Sequence, residues 1–438
     1  MTPPPSTPSR RGVLAGAASL AGAGVAMSAG ISPAVADSRG DSRREPRNAV
    51  VFRDVRPMGA AKPVDLTVVD GRITRDPAPR GAKVIDGGGR IALPSLVDAH
   101  IHPDKTTWGG EWVSRKPADT IAELAEQDAE LFRSQRRPVS ERAYALMSHA
   151  VTRGTRAMRA HADIAPAYGL ASVEGVAQAR ERLKHALDVQ IVAFPQHGVI
   201  RKPGTAELLT EAARSGHIDM VGGLDPISFD HAMDEQLDLL FGLADRYGVG
   251  VDIHLHDRGE NGTKVLRAII DRTRALSLKG KVTVSHVFCL PGLSDAELAK
   301  TAADLSDLDI ALTTVAPSAS LVLPIEKLRE YGVRVGLGSD GVRDSWSPFG
   351  NADMFHRTHL LGWVTDVRLD KELSDCFDAG AHGGADVMRL PRADLTPGSP
   401  ADFVLLRAEC VPQVVVDMPA RDMVVHGGRV VARDGRLV

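Results

Sequence analysis

Four histidines and one aspartate stand at the ends of what read as four separate β-strands. They are His100 and His102 in LPSLVDAHIHPDK, His254 in VGVDIHLHD, His286 in VTVSHVF and Asp340 in VRVGLGSDG. Neutral imidazole and carboxylate are good ligands for Zn2+ or Fe2+, and a catalytic metal site keeps one position open for water. A divalent ion pulls the pKa of that water towards about 7, so a hydroxide nucleophile becomes available at neutral pH. The chemistry implied is metal-assisted hydrolysis. Alternate side chains of a strand share a face, so His100 and His102 can grip one ion while Ile101 points the other way. A lone histidine at a strand end is more often an ordinary polar residue. It is the conjunction of an HxH with His, His and Asp on three later strands that points to one metal site.

Each of these residues follows an apolar, β-branched run and precedes a polar or Gly-containing loop, which in a (β/α)8 barrel is the rim where active sites are built. Eight such strands can be read: the one ending at HIH, then MRAHADI, VQIVAFPQ, DMVGGLD, VGVDIHLH, VTVSHVF, DIALTTVAP and VRVGLGSD. Between them lie helical patterns such as ADTIAELAEQDAELFRSQ and SERAYALMSHAVTRG, with apolar residues mostly three and four apart. An α/β fold is therefore expected, a (β/α)8 TIM barrel over residues 96–390. The flanking segments 48–95 and 391–438 carry short strands broken by Asp-Gly and Gly-Gly turns: AVVFRDV, VDLTVVDGRI and AKVIDGGGRI on one side, ADFVLLRA, PQVVVDMPA and DMVVHGGRVVARDGRLV on the other. These predict a small β-sandwich domain formed by both termini.

A chain of 438 residues is long for one domain, but α/β barrels routinely reach such sizes. The formal charge of -3, with no Lys/Arg stripe interleaved with aromatics, argues against nucleic acid as a partner and for a small substrate. Residues 1–36 have the plan of a signal peptide: Ser9-Arg10-Arg11-Gly12-Val13-Leu14, a Gly/Ala-rich stretch, then Ala34-Val35-Ala36 before Asp37. The paired arginines point to the twin-arginine export machinery, hence to an extracellular, periplasmic or cell-surface protein. The apolar run is short of the roughly 20 strongly apolar residues of a spanning helix. Residues 37–47, DSRGDSRREPR, read as a solvated linker. Cys289, Cys376 and Cys410 are odd in number and far apart, so neither a disulfide framework nor a CxxC zinc site is available. The H-x-E and P-C-x-x-C pattern of one large group of zinc enzymes is missing too.

From about residue 48 to 438 the chain resembles the amidohydrolase superfamily, and within it the cytosine deaminase group. The matching motifs are HIHPDKT (His100 to Thr106), the H-x-D of His161 to Asp163, FPQHG (Phe194 to Gly198), DIHLHD (Asp252 to Asp257), the SH of His286, and GSDGVRDSW (Gly338 to Trp346). LTPGSPADFVLL, Leu395 to Leu406, resembles the G-x-x-A-D signature that returns the chain to the sandwich. The resemblance implies one divalent metal ion, Zn2+ or Fe2+, held by His100, His102, His254 and Asp340. Two-metal members bridge their ions with a carboxylated lysine, and none ends VQIVAFPQ or DMVGGLD; Lys184 and Lys202 lie elsewhere. Lys105 is expected behind the ligands or at the surface.

Asp340 is then expected to take the proton of the attacking water, and His286 to orient the nucleophile and stabilise the tetrahedral intermediate. A further acid must protonate the ring so that the amine can leave. Cytosine deaminases place a Glu three positions after the strand-five His; here Asp257 stands there, preceded by His256 where an acidic residue is usual. Asp257 is the preferred shuttle and His256 the alternative, and the departure points away from cytosine itself. Gln196 suits the N–H and C=O edge of a cyclic amide, and Trp346 a flat ring. His161 and His197 are expected to line the pocket, whereas His356, His359 and His382 read as ordinary structural residues. The function implied is hydrolysis of a C–N bond in a cyclic amidine or nitrogen heterocycle. N-alkylaminohydrolase action on s-triazine-type rings is the neighbouring alternative, and a non-catalytic metal-binding homologue the one of a different class; a homo-oligomer is compatible with each of them. An Fe2+ oxygenase fails on ligand count and placement.

Overall fold

Alternation of β-branched runs with amphipathic helices closes the chain into a barrel. The computed structural model describes residues 48–438. The signal-peptide reading of 1–36 and the linker reading of 37–47 lie outside the described residues. Eight parallel barrel strands run Leu96–His102, Thr155–Asp163, Asp188–Phe194, Met220–Leu224, Gly250–His254, Val282–Ser285, Ala311–Thr314 and an eighth in two pieces, Val335–Leu337 and Asp340–Gly341. Neighbours in sequence are neighbours in the sheet. The eighth strand completes the circle, because its first piece pairs with the seventh strand (Thr314 opposite Leu337) and its second with the first strand (Asp340 opposite Ile101). The two helices read from the sequence form as Ile121–Ser134 and Val139–Thr152.

A parallel barrel buries both faces of its strands, so they are apolar nearly throughout. All seven residues of the first strand are buried, including Asp98, His100 and His102. Polar groups buried in such a strand need partners, and they mark where the fold serves something other than packing.

The two ends of the chain meet in one eight-stranded sheet. Lys83–Pro94, which leads directly into the first barrel strand, pairs with Phe403–Leu406 from the other end. Apolar side chains from both ends share one core in which Phe52 and Phe403 pack edge to face at 4.9 Å. The Asp70-Gly71 and Gly427-Gly428 turns have positive φ at both positions, as two-residue hairpins of the expected kind require. The sheet is tied to the barrel through Asp402, whose Oδ2 lies 3.2 Å from Arg156 on the second barrel strand while its Oδ1 accepts from the Gly427 amide.

One expected strand is a helix. PQVVVDMPA folds as the helix Val411–Asp417, with proline in its first turn and Met418 in the left-handed region at its end. Val411, Val414 and Val415 are buried, and the helix packs against Met354–Val364 and Asp370–Asp378. The valines satisfy a β propensity scale, but their spacing fits a helix face and the packing decides.

Candidate active site

The C-terminal ends of the barrel strands bring the expected histidines and Asp340 into one cluster. Nε2 of His102 lies 3.3 Å from Nε2 of His254 and 3.5 Å from Oδ1 of Asp340, and Nε2 of His100 lies 3.7 Å from the same oxygen. The His286 ring centroid is 4.8 Å from that of His100 and 5.0 Å from that of His254. Donor atoms of His100, His102 and Asp340, and again of His100, His254 and His286, fall within 4.8 Å of one another.

These groups fit a divalent metal. Burial pushes the pKa of His100 down, and of His102, His254 and His286 well down, so the imidazoles are neutral. Nε2 of His100, Nδ1 of His254 and both nitrogens of His286 are buried with no hydrogen-bond partner. Lone pairs converging on a carboxylate repel unless a cation lies between them. Two further clusters, His161 with Asp252 and His254, and His102 with Asp104 and Asp163, already contain a cation. Arg159 sits 3.0 Å from Asp252 and Lys105 sits 2.9 Å from Asp163.

The tautomer of His100 follows from its neighbours. The Ser285 hydroxyl donates its one proton to Oδ1 of Asp252 at 2.7 Å, so it can only accept from Nδ1 of His100, 3.0 Å away. His100 therefore carries its proton on Nδ1 and aims the Nε2 lone pair at the cluster, the outer-layer fixing that metal-binding histidines require. Backbone strain concentrates at the same rim. Asp225 (φ 30°), His286 (φ 70°), Val287 (φ 49°), Ala316 (φ 45°) and Asp340 (φ 63°) all leave the extended region where their strands end. Such conformations cost about 1–3 kcal/mol each and persist where the surroundings impose them. Gly338 lets the eighth strand pass the ligands, because a Cβ there would lie 2.5 Å from Cβ of His100.

A cavity of about 800 Å³ opens above the cluster, with His102, His254, His286, Asp340, Gln196 and Trp346 on its wall. His256 lines it as well, its ring stacked on His286 at 4.3 Å and its Nδ1 held 2.8 Å from Oδ2 of Asp225. Burial lowers the pKa of His256, but the charge and hydrogen bond of Asp225 outweigh it and the net shift is upward. Asp257 is buried away from the cavity wall and hydrogen-bonded to Ser228. His161 is fully buried below the cluster, 4.1 Å from His100 between ring centroids, and His197 is buried beside Tyr168; neither lines the cavity.

Two wall residues escaped the sequence reading. Lys105 is buried, donates to Asp163 and, at 2.7 Å, to Oε1 of Gln196, and so leaves the Gln196 amide nitrogen as its free donor. His356, read as structural, also faces the cavity. The nearest sequence signal for Lys105 was the scatter of acids it neutralises, Asp104, Asp128 and Asp163, which are joined only by the fold. Asp344, on the same wall, is pushed up to about 7 by burial.

Barrel, rim and donor set together define a hydrolase of carbon–nitrogen bonds other than peptide bonds, and the chain belongs to the amidohydrolase family, whose model matches residues 83–438. It is 38% identical, with a TM-score of 0.84, to an N-isopropylammelide isopropylaminohydrolase from Burkholderia multivorans, a match that covers 89% of this chain and 100% of that one. The N-isopropylammelide isopropyl amidohydrolase of Pseudomonas sp. strain ADP is 30% identical over 386 residues, 85% of this chain and 94% of the relative. The 5-methylcytosine deaminase of Klebsiella pneumoniae shares the fold, at 24% identity and a TM-score of 0.73 over 88% of this chain and 98% of that one.

Proposed function

We propose that this chain is a divalent-metal hydrolase that cleaves an exocyclic C–N bond of a planar nitrogen heterocycle, releasing ammonia or an alkylamine. The observation that carries the reading is the convergence of His100, His102, His254, His286 and Asp340 at the floor of a cavity walled by Gln196 and Trp346. Likeness to two proteins named for N-isopropylammelide favours an amine leaving group on an s-triazine-type ring over deamination of cytosine. A non-catalytic metal-binding role is opposed by His286 and His256, which line the cavity beside the cluster although neither is among the four groups that would hold the ion.

His100, His102, His254 and Asp340 would hold one ion, Zn2+ or Fe2+. When bound, it supplies Lewis acidity and a nucleophilic hydroxide at neutral pH. Asp340, whose side chain is 40% exposed, accepts the proton that the attacking water gives up. His286, a neutral imidazole, donates to the oxygen of the tetrahedral adduct. His256 delivers a proton towards the nitrogen that leaves, with Asp225 holding its other ring nitrogen. Water oxygen bonds to the ring carbon, the C–N bond breaks, and of the two water protons one ends on the ring nitrogen of the lactam product and one on the departing ammonia or amine. Asp257, off the wall, supports this loop rather than meeting substrate. Lys105 and the Gln196 amide nitrogen offer donors to a ring carbonyl, and Trp346 provides the flat wall; His161 and His197 act from behind. We also propose that the twin-arginine plan of residues 9–36 directs export, on the sequence alone.

The test is ammonia and amine release by the metal-loaded protein from amino- and alkylamino-substituted triazines, pyrimidines and pterins. Release from one ring class is expected. No release from any ring, in protein holding one metal per chain, would overturn the reading.

A further inference from the structure

The cavity is larger than a single ring needs. Its volume of about 800 Å³ lies towards the upper end of the roughly 300–1,000 Å³ typical of sites for drug-sized ligands. The proposed metal ligands and His286 form its floor. Much of the remaining lining is apolar: Val315, Ala316 and Pro317 follow the seventh barrel strand, and Leu360 and Val364 come from the helix Met354–Val364.

His356, Leu360 and Val364 recur every fourth residue, so they form one stripe running roughly 12 Å along the helix. The opposite face is packed into the core through Met354, Phe355, Thr358 and Leu361. The helix is therefore a fixed wall. Arg357 ties it to the rim by donating to the carbonyls of Val315 at 2.9 Å and Ser339 at 2.7 Å, which leaves its guanidinium engaged by backbone. At the mouth Phe349 is 78% exposed and still lines the cavity. A rigid wall that presents Leu360 and Val364, continued by Val315, Ala316 and Pro317, has no use for a bare, hydrophilic ring.

Resting on the functional reading above, we propose that this outer half of the cavity is a subsite for an alkyl substituent on the heterocycle, longer than one or two carbons. The chain then selects substituted rings by hydrophobic burial along the 360/364 stripe, while the floor acts on the ring.

A series of alkylamino-substituted oxo-triazines from methyl to hexyl decides this, with dissociation constants from calorimetry and amine release read on the same metal-loaded full chain. Affinity should rise about fourfold per added methylene, the equivalent of about 0.8 kcal/mol, at least as far as butyl. Leu360→Asn combined with Val364→Asn should flatten that rise to under about twofold per methylene, on the same scale. If the pair fails to fold, Leu360→Gln alone should blunt it. Equal affinity for methyl and hexyl members, or an undiminished rise in a folded variant, overturns the subsite. Rising affinity without amine release would sink the functional reading and keep the subsite; release with no chain-length dependence would do the reverse.

Discussion

His100, His359 and His382 each have one ring nitrogen hydrogen-bonded, to Ser285, the Val415 carbonyl and Asp378 respectively. What separates His100 is the company of its other nitrogen, 3.7 Å from the Asp340 carboxylate, whereas His359 and His382 join no group of three ligand-type residues among the described ones. Strand-end position made that distinction legible for His100, His102, His254, His286 and Asp340, since the barrel rim gathers whatever ends its strands. It failed for Lys105 and His356, whose roles depend on partners far away in sequence. The same limit applies to the proton shuttle. Adjacent residues after a strand face different ways, and only the fold puts His256 on the wall and Asp257 off it. His256→Gln should lower kcat by about 10²–10⁴-fold, the usual size of a general acid contribution, and Asp257→Asn by under about tenfold. The opposite ranking in steady-state kinetics would return the shuttle to Asp257. Asp344 gives a pH test. Its pKa, about 7 against an ordinary 3.8, means that the folded protein holds a proton there which the unfolded chain has lost. That contribution to stability is full below 3.8 and fades as pH rises to about 7. Asn keeps the oxygen that accepts from the Trp346 and Ser347 amides and buries no charge. Asp344→Asn should therefore gain in melting temperature relative to the parent between pH 5 and pH 8; a difference constant with pH would contradict this.

The strands were legible as elements because β-branched runs ending in polar loops admit few other structures, and all eight form. The break in the eighth strand was not. It arises where Asp98 of the first strand accepts from the Ser339 amide at 2.9 Å, which lets Asp340 turn into the left-handed region and reach the histidines. No local pattern encodes a register between strands some 240 positions apart. Gly338 makes the passage possible, so Gly338→Ala should cost roughly 1–3 kcal/mol through overpacking against His100 and weaken metal retention with it. Denaturant unfolding and metal analysis check both, and an Ala variant as stable and as metal-rich as the parent would refute the steric account. The helix Val411–Asp417 is the converse failure, for its valines carry strand propensity and only the neighbouring helices show which face is buried.

At the scale of the molecule the terminal sheet and the barrel share a backbone and a salt bridge. Lys83–Pro94 delivers the chain into the strand that carries His100 and His102, and Asp402 grips Arg156 on the strand beside it. The sheet thus fixes the first two strands of the barrel, where half of the proposed ligands lie. The terminal pairing was legible from hairpin turns at both ends; its merger into one sheet needed the Phe403–Leu406 strand to find Lys83–Pro94 across the whole chain. The central claim is that this scaffold holds one metal ion without which no C–N bond is hydrolysed. Its most direct test is to strip the protein with a chelator, titrate Zn2+ or Fe2+ back, and follow amine or ammonia release with metal content, in the parent and in Asp340→Ala. Activity should vanish on stripping and return in full at one ion per chain, while Asp340→Ala binds metal more weakly and stays inactive. Turnover by the stripped protein, or full activity in Asp340→Ala, would contradict the account.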